Sequence, residues 1–211
     1  MRGAAGPGPS VPRLALALYV AFLLAAFVWR AWEQYRRTGD HGFRGLSGRP
    51  GSAEWLGGAL LVVALIAAFL APALALAGRL GPLAALDRPP AHVAGLVLAG
   101  AGFALTLRAQ LQMGASWRVG VDARETTALV TDGLFRYVRN PIFSAMLLTL
   151  AGLVLLVPNA VSALALACAW VGLEIHVRRV EEPHLLRVHG EAYRAWARRT
   201  GRFVPGLGRL A

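Results

Sequence analysis

Five apolar runs dominate this chain and leave few folds open to it. They extend from Leu14 to Trp29, Trp55 to Ala77, Val93 to Leu111, Ile142 to Val157 and Val161 to Val177. Crossing the hydrocarbon core of a bilayer takes about 20 apolar helical residues. No water inside that core satisfies backbone N–H and C=O groups, so separate runs of this kind must close their hydrogen bonds as helices. The expectation is an all-α, polytopic membrane protein of about five transmembrane helices. The first run is marginal in length. The last two are short, and are expected to tilt little or to be covered in part by protein instead of lipid. A 211-residue chain that is 56% hydrophobic carries more apolar material than a soluble domain needs.

The first run follows Arg2 and Arg13, as a signal peptide would. It ends in Val28-Trp29-Arg30-Ala31-Trp32, with no small-x-small cleavage site, and reads as a retained span. All 22 basic residues are arginines. With five spans, 18 of them share one side: five from Arg30 to Arg49, five from Arg108 to Arg139 and eight after Val177. Only Arg2, Arg13, Arg79 and Arg88 fall on the other. Excess arginine marks the cytoplasmic side, so the sequence predicts a multi-pass cell-membrane protein with an outside N-terminus and a cytoplasmic C-terminus. The net charge of +11 is then accounted for by topology and attraction to anionic headgroups. The arginines are spread over several loops, which argues against a nucleic-acid partner. Cys168 is alone, so no intramolecular disulfide forms. His41, His92, His176, His184 and His189 are scattered and give no metal-ligand set. No feature specifies an oligomeric state.

The rest of the chain divides simply. Residues 1–13 are Gly/Pro-rich and expected to lack regular structure. Residues 36–54 form a polar, Gly-rich loop, 80–92 a short Pro-containing connection, 113–140 a third loop and 178–211 a tail. In the tail, Leu185, Leu186, His189, Tyr193 and Trp196 recur at helical spacing, which predicts a short amphipathic helix lying at the interface. Two units follow: three membrane helices over 1–112, and a core of loop, helical hairpin and tail over 113–211. Gly100-Ala101-Gly102 follows no strand and is not a nucleotide motif. Ala91, Gly95 and Ala99 at four-residue spacing predict close helix packing instead.

Polar groups concentrate at the two ends of the hairpin. Arg136, Arg139, Asn140 and Pro141 precede its first helix; Glu181 and Glu182 follow its second. Asn140-Pro141 reads as a helix start, with Asn as N-cap and Pro at the first helical position. Such a start offers backbone N–H groups to an anion, and Arg139 adds a planar fork suited to a carboxylate or carbonyl. A lone interfacial Arg would more simply snorkel, and an isolated Glu pair would more simply be solvated. Here both lie beside apolar walls, where a carboxylate such as Glu181 could meet hydroxyls or a cation. Glu174 and His176 lie nearer the membrane, where a charge is costly without a use.

The segments LVTDGLFRYVRNPIF (Leu129–Phe143), EEPHLLRVHGEAY (Glu181–Tyr193) and RFVP (Arg202–Pro205), in this order about an apolar hairpin, resemble the isoprenylcysteine carboxyl methyltransferase and phospholipid methyltransferase group. The likeness covers roughly residues 113–205. It implies S-adenosyl-L-methionine as cofactor, held at the cytosolic ends of the last helices between the third loop and the tail. It implies cofactor contacts at Thr127, Ala128, Leu129, Val130, Phe135, Asn140, Pro141, Phe143 and Glu181. The group often has Tyr where Phe135 and Phe143 stand. Its substrate-orienting arginine aligns with Val177, beside Arg178, so Arg178 and Arg139 are the candidates to orient an acceptor.

Methyl transfer from a sulfonium requires collinear approach and no covalent enzyme intermediate, so no catalytic dyad is expected. The sequence therefore predicts methylation of a lipophilic acceptor, a prenylcysteine-like carboxylate or a lipid amine, that enters from the membrane. Two other functions share parts of the pattern: a nicotinamide-dependent reductase of the sterol type, and a non-catalytic membrane scaffold.

Overall fold

A computed structural model describes residues 10–43, 48–120 and 128–210. Among them, helices carry the whole architecture. α1 (Ser10–Leu23) runs through a π-helical turn (Leu24–Trp29) into α2 (Arg30–Thr38), so the first span is one continuous helix of 29 residues. α3 covers Ala53–Leu76, α4 Pro89–Met113, α5 Pro141–Leu156 and α6 Ala160–His176. A second π-helical turn, Val177–Glu181, joins α6 to α7 (Glu182–Arg199). Four helices are long and apolar enough to cross a membrane, and α5 is a shorter apolar helix.

α5 is short because it is sheltered. Eight of its sixteen residues are buried, including Leu147, Leu150, Leu153 and Leu156. Its seam with α4 is made of small residues. A Cβ on Gly152 would lie 2.3 Å from the Ala99 nitrogen, and one on Gly102 would lie 2.5 Å from the Thr149 nitrogen. Gly95 faces the Gly152 carbonyl in the same seam, as the spacing of Gly95 and Ala99 predicts. α3 and α6 meet likewise, with Gly57 against the Gly172 carbonyl and the His176 backbone. Lipid tails are as apolar as leucine, so close van der Waals contact of this kind is what holds membrane helices together. α1 packs on α3, where the buried Tyr19 donates its hydroxyl to the Leu65 carbonyl at 2.8 Å.

The α5–α6 turn is capped locally. Asn159 accepts from Ser162 N–H, Ser162 Oγ accepts from Asn159 N–H, and Asn159 Nδ2 donates across to the Ala71 carbonyl. This end also receives the α3–α4 connection, through Leu83 N–H to the Pro158 carbonyl. The starts of α3 and α5 and the ends of α2, α4 and α6 gather at the opposite, polar end.

Sequence expectations change at both ends of the chain. Residues 10–13 are helical, because Ser10-Val11-Pro12 opens α1; residues 1–9 lie outside the described part. The tail helix breaks at Gly190 (φ 53°, ψ −123°), a conformation that suits a residue without Cβ. Its Tyr193 and Trp196 are buried against Phe135, so this face covers the third loop and does not lie on lipid.

Candidate functional site

The polar end is built around a salt-bridged clasp. Arg139, one residue before the Asn140 N-cap of α5, turns its guanidinium inward. Its Nη1 donates to the Ala197 and Thr200 carbonyls; its Nη2 donates to Glu182 Oε1 at 2.6 Å and to the Gly208 carbonyl at 3.0 Å. The side chains of Arg139 and Glu182 are only 1% and 7% exposed. Arg202 grips the same carboxylate from the other side, Nε to Oε1 at 2.8 Å and Nη2 to Oε2 at 2.9 Å. Burial pushes the Glu182 carboxyl upward, but the Arg202 and Arg139 guanidiniums overcome this and hold it below the usual carboxylate range. Backbone pairing extends the clasp. Arg139 N–H meets the Gly201 carbonyl, Asn140 N–H the Arg202 carbonyl, and Ser144 Oγ donates to the Phe203 carbonyl. The loop before α5 and the end of the tail are thus laced into one unit.

Glu181 faces a different neighbour. Its Oε1 lies 3.2 Å from His176 Nε2, across the π-helical turn, and its side chain is 21% exposed. Single π turns inserted in α-helices recur at functional sites. Here the turn separates Glu181, turned to His176, from Glu182, turned to the arginines. Phe143, in the first turn of α5, sets its ring edge-to-face against His176 with centroids 6.3 Å apart. Phe135, Tyr193 and Trp196 form a second small core, into which Leu129 and Val130 pack. Burial, reinforced by the Glu182 charge, pushes the Tyr193 phenol up to about 12.

Residues 90–192 match the family model of phospholipid methyltransferase. They run from the start of α4 through the third loop, the α5–α6 hairpin and the π turn into α7, and so include Arg139, Phe143, His176, Glu181 and Glu182. This segment belongs to the phospholipid methyltransferase family. No curated protein matches the chain as a relative.

The methyltransferase segment collects some predicted site residues and disperses others. Phe143 and Glu181 meet at His176; Leu129, Val130 and Phe135 share the Tyr193 core. Ala128 is exposed beside them, and Thr127 lies outside the described residues. Pro141 takes the first position of α5 as expected. Asn140 occupies the N-cap, but its side chain does not cap: Nδ2 donates to the Arg202 carbonyl at 3.1 Å. Arg139 departs from its expected role. All its Nη hydrogens meet protein acceptors, so the fork that was to hold an acceptor holds the tail. Arg178 is 55% exposed and pairs with Glu174 one turn back.

Two features escape the sequence. Glu182 and Arg202 both stand in the quoted motifs, yet only the fold shows that they share Arg139. The second is another buried arginine, Arg30. Its Nη2 donates to the Gly114 carbonyl at 2.6 Å, and its guanidinium stacks 4.7 Å from the Trp117 ring. Gln110 and Gln34 flank it and bond the Ala26 and Ala115 carbonyls. Together they fix the start of the third loop to the first span. Gln112 of the same α4 turn accepts from Leu134 N–H at 2.9 Å and so holds the loop's other end.

Beside the clasp lies a cavity of about 450 Å³, between the start of α3 and the π turn with α7. Arg49, Arg179 and Arg187 line it with Ser52, Glu54 and the buried His184. Burial, with Arg118 and Arg187 adding to it, lowers the pKa of His184 below the ordinary imidazole value.

Proposed function

We propose that this chain transfers a methyl group from S-adenosylmethionine to a lipophilic acceptor at the cytosolic face of the cell membrane. The observation that carries this is the phospholipid methyltransferase match over residues 90–192, within which the clasp ties Arg139 of the third loop to Glu182, next to Glu181. The donor set suits the cofactor. A sulfonium is a cation, and a half-shielded carboxylate at His176, whose ring Phe143 meets edge-to-face, is a favourable setting for one.

When bound, S-adenosylmethionine supplies an activated methyl group on a good leaving group. The chain's own part is placement. His176 orients Glu181, which keeps carboxylate capacity for hydroxyls or a cation. Phe143 and Phe135 give apolar walls without hydroxyl contacts. Arg178 is the arginine open to an acceptor head, since Arg139 is committed to the tail. Holding the partners in line supplies the larger share of such a rate, and no general base is assigned. A nucleophile that loses charge on attacking a cation gains from exclusion of water, which the loop and tail provide.

Calorimetry with S-adenosylmethionine and NADPH side by side tests the reading. Binding of S-adenosylmethionine alone is expected. Glu181→Ala should weaken it by about 1.5–3 kcal/mol, the usual worth of hydrogen bonds to a charged group. Glu191→Ala, whose carboxylate is 71% exposed, should not. Equal affinities for the two variants would overturn the site. Orientation follows from the arginine bias: in a Cys168→Ala background, Ala85→Cys and Leu207→Cys should label from opposite sides. Methyl incorporation in liposomes, comparing lipophilic acceptors with their soluble analogues, tests entry from the membrane; equal turnover would refute it.

A further inference from the structure

The cavity beside the clasp has the wrong charge for a cationic cofactor. Among its described lining residues stand three arginines, Arg49, Arg179 and Arg187, against one carboxylate, Glu54. None of the three arginines makes an ion pair among the described residues. Elsewhere at this end, arginines that approach a carboxylate use it: Arg139 and Arg202 share Glu182, and Arg178 takes Glu174. The cavity's three arginines are exposed and line it without a carboxylate partner among the described residues, and its volume falls within the range of small-molecule sites.

Its depth is also defined. The lining includes Ala53, the first residue of α3, and Val180, four residues past the last residue of α6. Both are points where an apolar helix ends and charged chain begins, which is headgroup depth in a bilayer. α3 adds its amino terminus, where Ser52 Oγ already accepts from Trp55 N–H. Basic pockets between spanning helices at this depth are suited to anionic headgroups, and guanidinium forks match phosphate oxygens two at a time.

We propose that this cavity binds the phosphate of an anionic phospholipid headgroup, with Arg49, Arg179 and Arg187 as its ligands. Glu181 is not among the lining residues, although Val180 and Pro183 on either side of it are, and the inference goes beyond the methyl-transfer proposal. It is read by lipid binding without S-adenosylmethionine, so failure of either proposal leaves the other standing.

The test uses the full-length protein in nanodiscs of phosphatidylcholine doped with labelled phosphatidylglycerol, with retained lipid measured after mild detergent extraction. The wild type should retain phosphatidylglycerol over phosphatidylcholine. Arg179→Gln/Arg187→Gln should cut that retention roughly tenfold, equivalent to about 1.4 kcal/mol. Arg194→Gln/Arg198→Gln removes the same charge from α7 outside the lining and should change retention by less than about twofold. Arg49→Gln, in the first loop, gives an independent reading should the Arg179/Arg187 variant fail to fold. Equal losses in the two double variants would reduce the effect to general surface charge and overturn the site. So would equal retention of the two lipids. Displacement by inorganic phosphate as readily as by phosphatidylglycerol would make it a soluble-phosphate site and overturn the lipid assignment.

Discussion

Arg139 and Arg30 are both buried at the polar end of the bundle, and their surroundings differ. Arg139 fills its four Nη hydrogens and shares a carboxylate with Arg202. Arg30 meets no carboxylate among the described residues: it has two backbone carbonyls, the Gln110 contact being long at 3.5 Å, and the face of Trp117. Both arginines leave Nε without a partner, but Arg30 also leaves Nη1 unmatched, as are the side-chain oxygens of Gln34 and Gln110 beside it. Removing a charge from water is costly, and only partnered geometry offsets it. Arg139 is therefore a structural tie whose loss leaves Glu182 with a single guanidinium. Arg30 is a weaker tie that positions a loop.

The sharpest way to break this comparison is to remove the shared carboxylate. Glu182→Ala should strand two arginines, one of them buried, and cost about 3–5 kcal/mol, the range for breaking a buried pair. Thermal unfolding in detergent would show it; an unchanged Tm would sink the clasp. Arg139→Met should cost nearly as much, because Glu182 keeps only Arg202.

Arg30→Met should be milder, about 1–3 kcal/mol, for the carbonyl at Gly114 left without its donor. The unmatched hydrogens on Nε and Nη1 leave with the side chain and soften the loss. Equal destabilisation by Arg30→Met and Arg139→Met would erase the distinction between the two centres.

Acid should act on one centre alone. The carboxyl of Glu182 is held below its unfolded value, so its contribution is present above the ordinary carboxylate pKa. That contribution is lost as pH falls through the lower folded value. Protease cleavage of the tail should rise in that acid window, and Glu182→Gln should remove this pH dependence. A Glu182→Gln variant with the same acid profile as wild type would show that another group controls it.

The smallest effect is expected at the exposed Arg178–Glu174 pair. Arg178→Ala should change Tm by the equivalent of no more than about 0.5 kcal/mol, as exposed i,i+4 pairs do. A loss comparable with that of Arg139→Met would mean that Arg178 is bound into the fold.

Hydropathy placed the helices well because it is a local property. The run Ile142–Val157 became Pro141–Leu156 and Val161–Val177 became Ala160–His176. Hydropathy ends the first span at Trp29, where Arg30 looks like a membrane exit. The helix instead continues to Thr38, because the buried Arg30 and Gln34 find carbonyls on the third loop's start. The motif pair RNP and EE was legible as a site, but not which glutamate faced which partner. One π turn decides that, turning Glu181 to His176 and Glu182 to the arginines.

By itself, then, the sequence determined an all-helical membrane protein and the methyltransferase motifs about its hairpin, because apolar length and motif spacing are written along the chain. Tertiary structure decided the partners. Arg139 meets Glu182 across 43 residues and Arg30 meets Gly114 across 84. Small-residue seams, Gly152 on Ala99 and Gly57 on Gly172, set how closely the helices approach. A charge's partner depends on which backbones come within hydrogen-bond reach, and that is fixed only when the helices pack.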